Sequence, residues 1–269
     1  MNPVYIVDVL RTPVGKAPRG VFKHTLPDDL LIHTIQCLKN KHQQVDWQAI
    51  GDLIVGCAMP EAEQGMNVAR IAALLSDLPY TVPAMTLNRF CSSGIQSIAT
   101  AAACISQGDM TLALAGGVES MSKVPLGGNK YTVNPRIFDN EHLGIAYGMG
   151  ITAEKVAEQW HVSRQAQDEF ALESHQKAIK AQALGAFCDE IVPLSVVERT
   201  PDLSLDDVKI TSRLISQDEG PRADTSYEAL ARLKPVFALK GSVTAGNSSQ
   251  MSDGAGLALS ASESALKTY

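Results

Sequence analysis

Cys91 has the sequence surroundings in this chain best suited to covalent chemistry. It follows a short apolar segment, residues 83–87, and precedes a segment in which apolar residues recur at spacings of three and four. The pattern predicts a strand, a turn of small residues and then a helix. A thiol at the start of a helix faces unpaired backbone N–H groups and the positive end of the helix dipole. That position favours the thiolate, which is the nucleophilic form.

A buried structural cysteine at a strand end is the ordinary alternative, because free cysteine is among the residues most often found in cores. The small residues Ser92, Ser93 and Gly94 favour the nucleophile instead. The helix after the turn is predicted to carry one apolar face, formed by Ile95, Ile98, Ala99, Ala102 and Ile105.

The elements that would position Cys91 alternate between short apolar runs and amphipathic segments, which predicts a layered α/β domain with a largely buried sheet. Strands are predicted at residues 4–10, 53–56, 83–87, 111–115 and 255–260, and helices at 26–40, 67–75, 152–160 and 163–184. Asn67 and Ser163 are the predicted N-caps, and Gly185 is the predicted helix stop. Residues 193–220 are polar and predict loops.

From about Met121 to about Gly246, the sequence predicts an insertion that leaves the sheet and returns to it. A second independent domain is the alternative. The strand expected at residues 255–260 favours the insertion, because it would bring the chain back to the same sheet.

Composition excludes several classes of function. The chain has 269 residues, 45% of them hydrophobic, and a formal net charge of -6, with no basic block of the kind that binds nucleic acid. No apolar run approaches the roughly 18 residues of a membrane span, and no secretory signal is expected at the N-terminus. Five cysteines without a C-x-x-C pair argue against a zinc site or a disulfide framework and favour a cytoplasmic location.

The residues 88–94, Asn-Arg-Phe-Cys-Ser-Ser-Gly, resemble the acyl-enzyme signature of the thiolases, in the form typical of their degradative branch, the 3-ketoacyl-CoA thiolases. Further motifs fall in the family's order and extend the resemblance over essentially the whole chain. They are Arg11-Thr12-Pro13, residues 116–122, residues 149–154 and residues 243–247.

The resemblance implies a thiolase-like α/β/α N-terminal domain, residues 1–120 and 247–269, with an inserted loop domain, residues 121–246, that covers coenzyme A. It also implies that the family's C-terminal half is absent, since the chain ends where that half is expected to begin. The implied activity is transfer of an acyl group to coenzyme A through a Cys91 thioester, in fatty-acid β-oxidation. Coenzyme A is then a substrate, and no cofactor is expected.

The resemblance further implies contacts with coenzyme A, at positions for which simpler explanations stay open. Arg222 can offer a planar fork to phosphate or to the adenine end, or it is a solvated arginine. Phe237 can pack on the nucleotide or the arm, or it fills a core. Ala245 and Ser249 lie in a Gly-rich loop that lets a narrow arm approach the backbone, or that is simply flexible. Met149 lies near the substrate, or it fills a core.

One departure from the family pattern is Ala229, which stands where a serine contacts coenzyme A in relatives, so that hydrogen bond is in doubt. The expected partners are acyl-CoA and coenzyme A, a second copy in a homodimer or tetramer, and a β-oxidation multienzyme complex. In the family the subunits pair through a strand near the nucleophile, and residues 111–115 are the apolar candidate.

Other functions fit parts of the same pattern. An acetoacetyl-CoA thiolase shares the nucleophile, a ketosynthase would lack the loop domain, and a noncatalytic coenzyme A-binding fragment would need no further motifs. Neither the Gly-His-Pro motif nor the Cys-x-Gly-Gly-Gly motif of the family occurs in these residues. The run from Gly148 to Ala153 fits a dinucleotide fingerprint, but the flanking order does not make a βαβ unit.

Overall fold

The structure is a computed structural model that describes residues 2–139, 144, 147–202, 204 and 206–269. The described residues group into two compact units. The first comprises Met1–Asn129, Phe187–Glu219 and Met251–Tyr269, and the second comprises Lys130–Ala186 and Gly220–Gln250. The predicted inserted domain differs from the second unit, because residues 121–129 and 187–219 group with the first unit and residues 247–250 group with the second. The domain boundaries themselves stay a prediction.

The first unit contains the strands and the helices around them. Its strands are β1 (Val4–Arg11), β2 (Gly15–Lys16), β3 (Ile50–Gly56), β4 (Ala84–Leu87), β5 (Leu112–Ser120), β6 (Leu194–Asp202), β7 (Asp207–Ile215) and β8 (Ser252–Ser262). Its α-helices are α1 (Pro27–Lys41), α2 (Val68–Leu75), α3 (Ser93–Gln107) and α7 (Glu263–Thr268), with 3₁₀ turns at Trp47–Ala49 and Ala62–Gln64.

The main sheet is mixed and has the order β1-β8-β5-β3-β4, with β2 paired to β8. Strand β3 runs parallel to β4 and β5, and β8 runs antiparallel to both β5 and β1. Strand β8, which comes last in the chain, therefore lies between β1 and β5. The chain returns to the same sheet after residue 250, as the sequence predicts. The predicted α/β class is confirmed.

Alternation along the central strands divides the core into two layers, one on each face of the sheet. Leu53 and Val55 pack in a large cluster with α1 and α2, while Ile54 packs in a smaller cluster with α3. The predicted buried side of α1 is confirmed, since Leu30, Leu31, Thr34, Ile35 and Leu38 are all buried. Helices cover both faces, so the three-layer α/β/α arrangement follows from a sheet that is apolar on both sides.

The predicted apolar face of α3 matches its buried face only in part, since Ile105 is buried but most of the predicted residues are not. The buried residues are Ser93, Ser97, Ala101 and Ile105, whereas Ile95 is 76% exposed. The first three of these residues are small because the start of this helix lies almost directly on the sheet backbone, where a larger side chain has no room. Ser97 shows how close the approach is, because its hydroxyl donates to the carbonyl of Gly116 in β5 at 2.6 Å.

Strand β5 cannot be the pairing strand of a dimer. It is longer than predicted and is paired on one side with β3 and on the other with β8. A strand that is hydrogen-bonded on both sides has no free edge to offer another chain. The outer strands of this sheet are β1 and β4.

Residues 193–220 were predicted to be loops, and this was wrong. Strands β6 and β7 form an antiparallel pair in which every residue from Leu194 to Asp202 has a partner. Most of β7 is exposed, so the pair has little buried face to impose an apolar alternation on the sequence. Backbone hydrogen bonds between β6 and β7 hold this pair together, and they leave no alternation of apolar residues in the sequence.

The second unit is mainly helical, with α4 (Met149–Gln159), α5 (Arg164–Ala183), α6 (Tyr227–Ala231) and a 3₁₀ turn at Pro135–Phe138. The predicted N-cap of α5 is confirmed, since Ser163 Oγ accepts a hydrogen bond from the N–H of Ala166 at 3.1 Å. Gly185 has φ of +69°, the left-handed conformation expected just after a helix. None of the helices in the described ranges has the length and apolar character needed to cross a membrane.

Asn67 was predicted to cap α2 with its side chain, and this was wrong. It precedes the helix but has φ of +57° and makes no side-chain cap bond. Its amide instead donates to the carbonyl of Ala84 in β4 at 3.0 Å, and its side-chain oxygen accepts from the Thr86 hydroxyl at 2.8 Å. The side chain therefore joins α2 to β4, a contact that local sequence does not report.

Candidate active site

An open cleft of about 410 Å³ in the first unit has Cys91 in its wall. It lies at the ends of β3 and β5 that face the start of α3. Its lining residues come from five segments of the chain: Arg11, Thr12 and Val14; Gly56, Ala58 and Met59; Phe90, Cys91, Ser93 and Gly94; Gly117, Val118, Glu119, Met121, Val124 and Leu126; and Gly254, Ala255 and Gly256.

The strand, turn and helix predicted around Cys91 are confirmed. Strand β4 ends at Leu87, and α3 begins at Ser93 with Ser92 as its N-cap. Cys91 lies one residue before the cap and is exposed, which excludes the alternative of a buried structural thiol. Hydrogen bonds within the turn hold it, because Ser93 Oγ donates to the carbonyl of Phe90 and accepts from the N–H of Arg89.

Glycine at position 56 lets the start of α3 approach the sheet. A Cβ on Gly56 would lie 2.3 Å from the carbonyl carbon of Ser93 and 2.6 Å from the nitrogen of Gly94. Both are backbone atoms, so they cannot turn aside as a side chain can. The turn that carries Cys91 therefore owes its place to the missing Cβ in β3.

We expect Gly56→Ala to destabilise the first unit by about 1–3 kcal/mol, the usual cost of overpacking a core. The start of α3 has to move away from β3, and the free energy of unfolding falls. Gly94→Ala is the matched control, because a Cβ there meets nothing nearer than Gly116 at 4.0 Å. Urea unfolding followed by circular dichroism measures both variants, and an equal loss of stability in the two would contradict the steric argument.

Glu119 forms part of the cleft wall and was not singled out from sequence. Its carboxylate accepts from the backbone N–H of Ala58 at 2.7 Å, from that of Met59 at 3.3 Å and from Gln64 Nε2 at 2.8 Å. Gln64 is fully buried, and its oxygen accepts from the N–H of Ser120. The carboxylate thus fixes residues 58–59 against β5. Only its place in the motif at residues 116–122 pointed to it.

The thiol of Cys57 lies behind this wall and is unsuited to nucleophilic chemistry. Burial, reinforced by the negative charge of Glu119, raises the pKa of Cys57 to about 12. It is 1% exposed, and its Sγ lies 3.9 Å from Glu119 Oε1. Cys57 therefore stays a thiol at neutral pH.

Arg11, from the motif Arg11-Thr12-Pro13, lines the cleft but is already engaged. Its guanidinium donates to Glu190 at 2.7 Å and forms two bonds to Asp218 at 2.8 and 3.0 Å. It also lies over the ring of Phe187, 5.5 Å from the centroid. Its charge is neutralised by these two carboxylates, so its role here is to join β1 to residues 187–218.

The five candidate coenzyme A residues all lie in the second unit. Arg222 and Asp224 form an ion pair at 2.8 Å, with the side chains 59% and 72% exposed. Exposed pairs of this kind contribute little energy, so a phosphate can displace Asp224 at small cost. The N–H of Arg222 donates to His175 Nδ1 at 3.1 Å, which fixes the backbone from which the guanidinium extends.

Met149 and Phe237 were each open to a core-filling role, and their exposed fractions of 59% and 42% exclude it. The ring of Phe237 lies against the backbone of Gly150 at the start of α4, where an added Cβ would fall 2.1 Å from Cδ1 of the ring. The structure therefore places Phe237 beside the residue that follows Met149.

Ala245 and Ser249 lie on the loop after residue 241, and this loop is held by side chains rather than loose. Glu154 accepts from the N–H groups of Ser242 and Val243 at 2.9 and 3.0 Å. Asp168, only 1% exposed, accepts from Asn247 Nδ2 at 2.9 Å. These bonds tie residues 242, 243 and 247 to α4 and α5.

In the part of the chain that the structure describes, no group of three or more His, Cys, Asp or Glu side chains is arranged to hold a metal ion.

Comparison with known proteins places these features in one family. The family model described as "Thiolase, N-terminal domain" matches residues 4–264. The chain is 48% identical over 259 residues to a protein of Bacillus subtilis (strain 168) named 3-ketoacyl-CoA thiolase, covering 95% of this chain and 64% of that protein. It is 44% identical over 268 residues to the mouse peroxisomal 3-ketoacyl-CoA thiolase B, covering 98% of this chain and 60% of that protein.

A solved structure gives the same result at the level of the fold. It is named as the acetyl-CoA acetyltransferase of Bacillus anthracis, is 35% identical and has a TM-score of 0.83, with 99% of this chain and 67% of that one covered. A Pseudomonas aeruginosa protein named beta-ketoadipyl-CoA thiolase is 42% identical over 282 residues. The chain thus spans about two thirds of the length of the relatives it matches, or somewhat less.

Proposed function

The chain belongs to the thiolase family, and from that premise we propose 3-ketoacyl-CoA thiolase chemistry in which Cys91 carries the acyl group as a thioester. Turnover by these 269 residues alone is expected to be slow, because the Gly-His-Pro and Cys-x-Gly-Gly-Gly motifs do not occur in them. One observation carries the proposal. Cys91 is exposed in the cleft wall, on a turn fixed at the start of α3. Similarity to relatives named 3-ketoacyl-CoA thiolase supports the choice of substrate class.

The reaction divides into two displacements, each within the capacity of a thiolate. In the first, the Cys91 sulfur attacks the 3-keto carbon, the C2–C3 bond breaks, and its electron pair leaves as the enolate of acetyl-CoA, which takes up a proton. In the second, the thiolate of coenzyme A attacks the thioester carbonyl and releases Cys91. A covalent intermediate replaces one difficult step by two easier ones.

The helix start offers stabilisation to the oxygen that becomes negative during both displacements. The first N–H groups of a helix have no intrahelical acceptor, and the dipole adds a partial positive charge there. The N–H of Cys91 is the proposed donor of this chain to that oxygen. For the nucleotide, Arg222 supplies a charged fork, and Met149, Phe237, Ala245 and Ser249 supply the surface for the rest of coenzyme A.

Acyl transfer to Cys91 is the direct test. On long incubation with excess acetyl-CoA, we expect peptide mapping to place the acetyl group mainly on Cys91. Cys188 is the internal control, because it is also exposed. Cys91→Ser should lose the acetyl group, and Cys188→Ser should keep it. Equal acetylation of Cys91 and Cys188 would contradict the proposed role.

Acetoacetyl-CoA thiolase is the second candidate, supported by similarity to the acetyl-CoA acetyltransferase of Bacillus anthracis. The two candidates share Cys91 and differ in the acyl group that reaches it. Comparing acylation of Cys91 by acetoacetyl-CoA with acylation by longer 3-ketoacyl-CoA esters distinguishes them.

The place of the protein in the cell is part of the same proposal. We propose a cytoplasmic enzyme of fatty-acid β-oxidation that works as a homodimer or tetramer, with a β-oxidation multienzyme complex as partner. The pairing strand near the nucleophile is then β4, because it is an outer strand of the sheet and leads directly into the Cys91 turn.

A further inference from the structure

Phe90, the residue before Cys91, has a backbone conformation that is unfavourable for a residue with a side chain. Its φ is +48°, in the left-handed region. Non-glycine residues stay in that region when the surrounding structure fixes them, and such positions cluster at functional sites. Something in the fold must therefore hold Phe90, and with it the direction in which Cys91 leaves the turn.

Asn88 supplies one of the restraints on Phe90. Its side-chain oxygen accepts a hydrogen bond from the N–H of Phe90 at 2.7 Å, which closes a tight turn of the type that Asn favours. On the other side of the residue, the carbonyl of Phe90 accepts from the N–H of Ser93 at 3.0 Å and from its hydroxyl. Phe90 is thus held at both its N–H and its carbonyl.

The amide group of Asn88 makes a second bond that leaves the turn. Its Nδ2 donates to the carbonyl of Ala58 at 3.0 Å. Ala58 is fixed in turn by its own N–H, which donates to Glu119 at 2.7 Å. One side chain therefore connects the turn that carries the nucleophile to the cleft wall that Glu119 anchors on β5.

We propose that Asn88 is a positioning residue, which holds Phe90 in the left-handed conformation and so sets the Cys91 sulfur at the start of α3 and against the 58–59 wall. This deepens the proposed function and rests on it for the identity of the nucleophile. Without the side chain of Asn88, Phe90 relaxes toward ordinary backbone conformations, and the sulfur samples positions away from the start of α3 and from the 58–59 wall.

The test compares alkylation of Cys91 by iodoacetamide with that of Cys188 in the same sample, so that general effects cancel. We expect Asn88→Ala to lower the rate ratio by roughly 3- to 10-fold, the range that corresponds to losing one or two hydrogen bonds. Asn67→Ala is the matched control. Asn67 also makes two side-chain hydrogen bonds, has positive φ and lies outside the Cys91 turn. In this variant the ratio should stay within about 2-fold of wild type.

The Phe90→Gly background separates positioning from stability. Glycine adopts positive φ without support, so Asn88→Ala should have little effect on the ratio there. If Asn88 acted only through stability, Asn88→Ala should have a larger effect on the ratio in the Phe90→Gly background. The reason is that glycine adds conformational entropy to the unfolded chain and weakens the fold further. Asn88→Ser keeps an acceptor for the N–H of Phe90 but is too short for Ala58, and its ratio should lie between wild type and Asn88→Ala.

Several results would overturn the proposal. An unchanged ratio in Asn88→Ala is one, and an equally large loss in the Phe90→Gly background is another. If Asn88→Ala does not fold, a wild-type ratio in Asn88→Ser overturns it, and a reduced one supports it. Alkylation needs no coenzyme A, so the two proposals can fail separately. If the alkylation ratios follow the expected pattern but acetyl-CoA does not acetylate Cys91, the positioning role of Asn88 is kept and the thiolase function is rejected.

Discussion

Thiolysis of acetoacetyl-CoA by this 269-residue chain is expected to be at least about 10²-fold slower than by a longer relative such as the Bacillus subtilis protein. The first unit provides the nucleophile and the start of a helix beside it. The resemblance implies that proton transfer falls to the histidine of Gly-His-Pro and the cysteine of Cys-x-Gly-Gly-Gly, and neither motif occurs in this sequence. Exposed Cys91 alone cannot take their place.

The size of the deficit follows from two contributions, that of the activating histidine and that of the cysteine that acts as acid and base. A positioned general acid or base typically provides about 10²–10⁴ in rate. The contributions do not simply multiply, because groups that act together are not additive. Either one alone is enough to bring a typical enzyme close to the limit of detection.

Loss of the enolate absorbance of acetoacetyl-CoA in the presence of coenzyme A measures this turnover. Cys91→Ser defines the background, and the Bacillus subtilis relative defines full activity. Turnover near that of the relative that disappears in Cys91→Ser would contradict the expectation. It would mean that other residues of this chain perform the proton transfers.

Among the five thiols, Cys91 is expected to react first with iodoacetamide and Cys57 last. Relative to an ordinary cysteine of pKa 9.0, a pKa of about 12 lowers the thiolate fraction of Cys57 at neutral pH by roughly 10³. Burial also raises the pKa of Cys37. The informative competitor is Cys188, which is exposed like Cys91 but is not placed at the start of a helix.

Limited labelling at neutral pH, followed by peptide mass mapping, gives the order of reaction. Cys188→Ser should leave the labelling of Cys91 unchanged, which shows that the two sites react independently. If Cys188, Cys37, Cys57 or Cys104 is labelled ahead of Cys91, the helix start does not activate the thiol as argued. Repeating the labelling in urea should bring Cys57 close to the others, because unfolding removes the burial that raises its pKa.

The sequence by itself determined the features that depend on residues close together in the chain. The strand, turn and helix around Cys91 follow from an apolar run, small residues and helical spacing within residues 83–107. The buried side of α1 and the Ser163 cap of α5 follow in the same way. These signals are local, because a helix periodicity or a cap involves residues only a few positions apart.

Tertiary structure decided the features that depend on which segments meet. The apolar spacing of α3 revealed its buried face only at Ile105, because Gly56 lets the start of the helix lie on the sheet through small residues. The pair of β6 and β7 left little apolar pattern because most of β7 is exposed. Asn67 is a residue type that commonly caps helices, yet its side chain bonds to β4 instead.

The site itself shows the same division. The sequence placed Cys91 in a reactive turn, but the wall beside it comes from Ala58 and Glu119, which lie 33 and 28 positions away in the chain. The bond from Asn88 to Ala58 exists only because β3 and β4 run parallel and end side by side. A pattern of neighbouring residues cannot report such a contact, since strand order in the sheet decides which chain ends meet.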